Sequence, residues 1–191
     1  MSVSSLGDTV AVAESITGGI IADAFVSEKG ASKFFKGGIT AYSLSSKEEI
    51  LHISPALLKM TNGVSKTVCE CMAKEVATLF KADYGIATTG YAEEEYGDEP
   101  NRISNKRYAY VSLYSSKVDD QYTTIVLERI GDNRNGFRYH VAEVAGFLWI
   151  NRKEFLSYEK KLHDENAFSL DEESELFDHL THAVIKHARK L

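Results

Sequence analysis

Cysteine, proline and tryptophan are scarce in this 191-residue chain, which has two, two and one of them. Two prolines leave little for a proline-rich or structureless linker. Two cysteines cannot build a disulfide framework. Cys69 and Cys71 stand two apart in a run of helical periodicity, so they project from different faces and do not bridge each other. A zinc site would need more ligands at other spacings. A reducing compartment, the cytosol, is the expected setting. Positive charge is also short: 22 Lys and Arg against 28 Asp and Glu give a net charge of −6. That is the opposite of the basic balance on which general nucleic-acid binding rests. No apolar run reaches the length of a membrane span, and no basic-then-apolar leader opens the chain. P-loop and dinucleotide-binding glycine motifs are missing, as are internal repeats.

What is present fits a globular domain. At this length roughly 70% of the unfolded chain's surface can be removed from water. Val10–Ala13 reads as a buried strand and 18–27 as a helix with Ile20, Ile21, Ala24 and Phe25 on one face. Gly37-Gly38 reads as a bend before an apolar strand, Ile39–Tyr42. Ser45 or Ser46 is placed to cap a short helix, Lys47–Ile53, and Pro55 opens another helical turn. Ser65 caps the clearest helix, Lys66–Phe80, whose apolar stripe is Val68, Met72, Val76 and Leu79-Phe80. Tyr84–Thr89 is a second buried strand. Arg107–Ser115 and Tyr122–Ile130 alternate and form a hairpin. Tyr108, Tyr110, Tyr114 and Tyr122 take strand positions within it, which favours sheet packing over base stacking. Asn133–Trp149 is a helix. Strands mixed with helices predict a three-layer α/β/α sandwich, and the hairpin makes its sheet a mixed one.

The residues best placed for chemistry are 13–19, Ala-Glu-Ser-Ile-Thr-Gly-Gly, where the first strand breaks into a small-residue turn and a helix opens. A helix N-terminus offers free amides and partial positive charge to a phosphate or an oxyanion. Ser15 and Thr17 bring hydroxyls there, and Gly18 and Gly19 let a ligand approach the backbone. The same residues would serve equally as an N-cap and a packing turn. The strand at 84–89 also ends in a hydroxyl-plus-glycine turn, so Thr88 and Thr89 join Ser15 and Thr17 if the two strands are neighbours.

Four segments carry a resemblance in order and spacing: AVAESITGG at 11–19, GGITAYSLSSK at 37–47, GIATTG at 85–90 and GDNRNGFR at 131–138. Together they resemble the C-terminal domain of the CinA (competence/damage-inducible) proteins, which also exists as a stand-alone nicotinamide mononucleotide deamidase. The similarity spans roughly residues 9–150. It implies hydrolysis of the nicotinamide carboxamide to the acid and ammonia, with no cofactor and no metal, on a small nucleotide-like substrate. It implies a homodimer as well. Ser15 falls on the family's nucleophile, Lys47 on its catalytic lysine, Tyr42 on its pocket tyrosine and Thr89 on its threonine. Thr17, Gly18, Gly19, Arg134 and Arg138 fall on substrate-binding positions. A serine hydroxyl needs a base, and a desolvated lysine can be that base. Threonine and glycine amides can donate to an oxyanion, and arginine can grip a phosphate. Taken singly, Lys47 reads as a solvated helix lysine and Tyr42 as a strand-end aromatic. Arg134 and Arg138, four apart, read as partners of Asp132 or Glu143.

The chain departs from that pattern in two places. Where the family usually continues Ile-Ala-Gly-Pro and glycines, this chain has Tyr91 and then five carboxylates within 93–99, with Arg102, Lys106 and Arg107 nearby. A catalytically silent ligand-binding or scaffold protein on the same fold is therefore the alternative function. At the ends, eight residues precede Thr9 where the family carries a longer helix, and a helical extension, 151–191, follows the α/β domain, 1–150. Its last part, 171–191, carries the stripe Leu176, Leu180, Val184 and Ile185. It is expected to pack on the domain where the family's N-terminal helix lies. His179, His182 and His187 on that helix, and the charge run Glu93–Glu95, read as solvated faces.

Overall fold

The structure is a computed structural model and describes residues 7–93, 107–117, 121–129 and 133–156. One five-stranded sheet lies at its centre. The strands are β1 (Val10–Glu14), β2 (Phe35–Thr40), β3 (Tyr84–Tyr91), β4 (Arg107–Ser115) and β5 (Gln121–Arg129), in the spatial order β2-β1-β3-β4-β5. β1 runs parallel to both neighbours, in register Val10↔Tyr84 through Glu14↔Thr88 with β3. β3, β4 and β5 are antiparallel. The expected mixed sheet with a hairpin is the one found.

Alternation along each strand sends side chains to two cores. On one face Val10, Val12, Ile86, Val111 and Leu113 meet α1 (Ile20–Ser27) and α5 (Arg134–Ile150) through Ile21, Phe25, Phe137, Val141 and Leu148. Trp149 closes that core, stacked on Phe34 and edge-on to Tyr84. On the other face Ala11, Ala13 and Ala87 meet α3 (Pro55–Thr61) and α4 (Lys66–Phe80) through Leu58, Val68, Met72 and Val76, together with Leu51, which follows α2 (Leu44–Glu49). These are the three layers. A helical turn at 152–156 follows α5 and puts Phe155 and Leu156 into the first core. Among the described residues no helix is long and apolar enough to cross a membrane.

Several boundaries differ from expectation. Gly37-Gly38 does not precede the strand but lies inside it, because β2 runs from Phe35 to Thr40. A Cβ at Gly38 would stand 2.4 Å from a Val12 methyl, and one at Gly37 would stand 2.5 Å from the Phe80 ring. The glycines therefore admit neighbours rather than turn the strand. Their strand pairs with β1 across a register shift at Val10/Ala11. In α1 the inward stripe is Ile21, Ala22 and Phe25, while Ala24 is exposed. α2 begins earlier than expected, with Ser43 as its cap. The helix expected at 171–191, the three histidines there and residues 94–106 lie outside the described residues.

Candidate active site

β1 delivers Ser15 to the C-terminal edge of the sheet, where the Ser15 N–H donates to the Thr88 carbonyl at 3.0 Å. The strand pairing continues one residue past β1 and fixes the backbone of Ser15. Thr17 and Thr88 hydroxyls bond to each other at 2.8 Å in the interior.

Lys47 reaches the same point from α2. The Ser43 hydroxyl accepts from the Ser46 amide and starts that helix. Gly63, at φ +72°, packs beside the lysine stem and admits Leu44 of the same helix, since a Cβ there would be 2.6 Å from a Leu44 methyl. The lysine is 2% exposed. Its Nζ lies 3.0 Å from Ser15 Oγ, 2.7 Å from the Ala41 carbonyl oxygen and 3.3 Å from that of Tyr42. All three partners are uncharged. Burial without a counter-charge penalises the ammonium and brings its pKa down from 10.5 to about 8. A neutral Lys47 would direct its two N–H bonds at the carbonyls of Ala41 and Tyr42 and its lone pair at the Ser15 hydroxyl. The reading of Lys47 as a solvated helix lysine is thus set aside.

Around this pair the other sequence candidates separate. Thr89 is buried and donates its hydroxyl proton to the Gly63 carbonyl at 2.8 Å. Tyr42 is 67% exposed and lines a cleft of about 170 Å³ with Ile16, Gly90, Tyr91, Ala92, Glu93 and Arg134. Ile16 follows Ser15 in the chain, and the Tyr42 carbonyl binds Lys47, so the cleft adjoins the Ser15–Lys47 pair, although neither of those side chains is among its walls. Arg134, in the first turn of α5, forms an ion pair with Glu93 and hydrogen-bonds the Tyr42 side chain. Arg138, one turn on, points instead at the turn after Ser15. Its Nε donates to the Ile16 carbonyl and its Nη2 to the Thr17 carbonyl, each at 2.9 Å.

Sequence reasoning missed Glu14. Its carboxylate accepts from the amides of Gly19 (2.9 Å), Ile21 (3.1 Å) and Ala22 (2.8 Å), which are the opening amides of α1. The positive end of the helix is therefore held by the chain's own carboxylate, and the Gly19 amide is engaged there. The signal is an acidic residue at the end of a buried strand, five positions ahead of the glycine that opens the helix. Cys69 is a core residue. Its thiol donates to the Ala87 and Tyr110 carbonyls at 3.3 Å, and burial pushes its pKa up to about 12. No group of three or more His, Cys, Asp or Glu suited to a metal converges among the described residues.

Taken together, the geometry is that of a desolvated lysine on a serine hydroxyl at the rim of a cleft. A model of the CinA C-terminal domain matches residues 2–148. A CinA-like protein of Thermosipho melanesiensis is 44% identical over 113 residues, 59% of this chain and 27% of that protein. A putative competence-damage inducible protein of Bacillus cereus (strain AH187) is 31% identical over 147 residues, 77% of this chain and 34% of that protein. The chain thus spans about a third or less of these curated relatives. Among solved structures, the CinA superfamily protein of Enterobacter cloacae aligns with a TM-score of 0.65 at 26% identity, covering 78% of this chain and 85% of that one. The superfamily member from Klebsiella pneumoniae 700603 shares the fold, with a TM-score of 0.67 at 23% identity over 78% of this chain and 89% of that one. The chain belongs to the CinA C-terminal domain family.

Proposed function

We propose that this protein hydrolyses the carboxamide of nicotinamide mononucleotide, or of a close analogue, to the acid and ammonia, with Ser15 as nucleophile and Lys47 as base. The observation that carries the reading is the 3.0 Å contact between Ser15 Oγ and a buried Lys47 Nζ whose other partners are carbonyls. A neutral amine so held takes the Ser15 proton as Oγ attacks the carboxamide carbon. The resulting ammonium hands that proton to the departing nitrogen, and ammonia leaves an acyl ester on Ser15. Lys47 then takes a proton from water as it attacks the ester. The acid departs, and the proton returns to Ser15 Oγ. Arg134 at the cleft supplies a cation for the substrate phosphate, and Tyr42 a wall for the ring. As in other members of the family, a homodimer in the cytosol is expected.

A second reading, ligand binding without turnover, draws on one observation. Glu93 already neutralises Arg134, the cation that lines the cleft. One measurement separates the two. Purified protein incubated with nicotinamide mononucleotide releases ammonia and nicotinate mononucleotide if the first reading is right. Binding detected by calorimetry with no ammonia above the rate of Ser15→Ala protein would favour the second.

A further inference from the structure

The turn from Ser15 to Gly19 is irregular backbone. Gly18 and Gly19 both have positive φ, +62° and +107°, so no regular ladder holds the segment. Besides the bonds of Ser15 and Thr17 to Thr88, two side chains hold it. On its amide side stands the Glu14 carboxylate. On its carbonyl side stands the Arg138 guanidinium, with Nε on the Ile16 oxygen, Nη2 on the Thr17 oxygen and Nη1 at 3.4 Å from the Asn135 side-chain oxygen. All three nitrogens of Arg138 are engaged, and the residue is not a wall of the cleft, whereas Arg134 is. Gly18 makes the contact possible, because a Cβ there would be 2.9 Å from Arg138 Nη2.

We propose that Arg138 is a positioning residue: it clamps the carbonyls of Ile16 and Thr17 and so holds Ser15 in line with Lys47, instead of gripping the substrate phosphate. The proposal rests on the assignment of Ser15 as nucleophile. The Ser15 amide is held by the Thr88 carbonyl, but Ile16 is bonded to Ser15 on its other side and its oxygen is one of the two clamped atoms, so freeing the 16–17 peptides loosens the side of Ser15 that the strand pairing does not hold. A misplacement of about 1 Å at such a site costs about 100-fold in rate. Lysine cannot replace the clamp, because one ammonium does not span two carbonyls with the fixed fork of a guanidinium.

The test compares Arg138→Gln, Arg138→Lys and Arg134→Gln on nicotinamide mononucleotide and on nicotinamide riboside, which has the same carboxamide and no phosphate. Arg138→Gln should lower kcat about 100-fold on both substrates with little change in KM. Free guanidinium should restore part of that loss, and Arg138→Lys should fall between. Arg134→Gln should raise KM for the phosphorylated substrate alone. A rise in KM for the mononucleotide alone in Arg138→Gln, with kcat kept, makes Arg138 a phosphate ligand and overturns the proposal. So does a wild-type kcat in Arg138→Lys, the variant to use if Arg138→Gln does not fold. The rate of Ser15 phosphonylation by a fluorophosphonate, read by intact mass, is a measure independent of substrate. Wild-type protein that is phosphonylated but releases no ammonia disproves the substrate reading alone, and the proposal then stands or falls on slower labelling in Arg138→Gln. Wild-type protein inert to both defeats the nucleophile assignment and the proposal together.

Discussion

Each end of β1 is flanked by a side-chain cation that is almost wholly buried, and the two are handled in opposite ways. Beyond the C-terminal end, Lys47 is 2% exposed and meets two carbonyls and a hydroxyl. Before the N-terminal end, Arg152 is also 2% exposed, but its Nη2 lies 2.8 Å from Asp8 and its Nη1 donates to the Trp149 carbonyl at 2.9 Å. Its guanidinium covers the Trp149 ring at 3.9 Å. Lys117 approaches the other Asp8 oxygen at 2.6 Å. Burial opposes ionisation of Asp8, yet the hydrogen bonds from Lys117 and Arg152 outweigh it and hold the carboxyl below its ordinary value. One end pairs its charges and gains cohesion. The other leaves a cation unpaired, which costs stability and yields an amine that can be neutral near physiological pH.

That contrast is broken most forcefully by removing Ser15 or Lys47. Ser15→Ala and Lys47→Met should each lower ammonia release by three orders of magnitude or more, on the order seen when a serine or its base is lost. The Lys47→Met protein should melt within a few degrees of wild type, because relief of a desolvated charge offsets two lost carbonyl bonds. Wild-type turnover by Ser15→Ala protein ends the nucleophile assignment. At the other end Asp8→Ala leaves Arg152 buried and unpaired, a change worth about 3–5 kcal/mol. Denaturant unfolding should register that loss, while kcat under native conditions stays near wild type.

pH sharpens the comparison. Turnover should climb about tenfold per pH unit below pH 8 and level off above it, as Lys47 loses its proton. Its pKa in the folded protein lies below the ordinary value of 10.5, so between about 8 and 10.5 the unfolded chain binds more protons than the native one. Lys47 therefore makes stability rise with pH across that window, and its penalty is fully present below it. Asp8 acts in acid. Its stabilisation is present above the ordinary value of 3.8 and is lost as pH falls through its lower folded value. Urea midpoints for wild type, Lys47→Met and Asp8→Ala across pH should lose these two slopes separately. The smallest effect expected is at the cleft. Glu93 and Arg134 are both well exposed, and such pairs are worth about 0–1 kcal/mol. Glu93→Gln should improve KM for nicotinamide mononucleotide by no more than about fivefold, less at high salt, and leave the riboside unchanged.

Legibility in the sequence followed how local the cause was. Ser65 followed by a 3.6-residue stripe gave α4 its observed limits, Lys66–Phe80, and strict alternation gave β4 its limits. The Gly37-Gly38 pair was misjudged because its reason is remote, lying in Val12 on the next strand and Phe80 on α4. The cap at Ser43 is hard to read from sequence because three serines compete within four residues, and it is the Ser43 hydroxyl that accepts from the Ser46 amide. Ser15 stands out in the sequence by its place in the strand-to-helix turn, whereas Lys47 is reached only through resemblance. That Lys47 is buried, and that Arg138 turns from its neighbour Arg134 toward the 16–17 carbonyls, depends on the packing of α2 and α5 on the sheet. No residue type announces that.

The strand order also dictates a timetable. The β4–β5 hairpin joins Ser115 to Gln121 and can close as soon as it is made, whereas β1 must await β3, whose pairing begins at Val10↔Tyr84. At 5–20 residues per second the ribosome needs roughly 4–15 s to supply that partner. Through that interval β1 has only β2 to pair with, and the main-chain groups of its other edge stay unmet, although every one of its residues is destined for the interior. The segment that carries the nucleophile is thus the one most in need of a chaperone's cover during synthesis, and enzymatic competence should be among the last properties a newly made chain acquires.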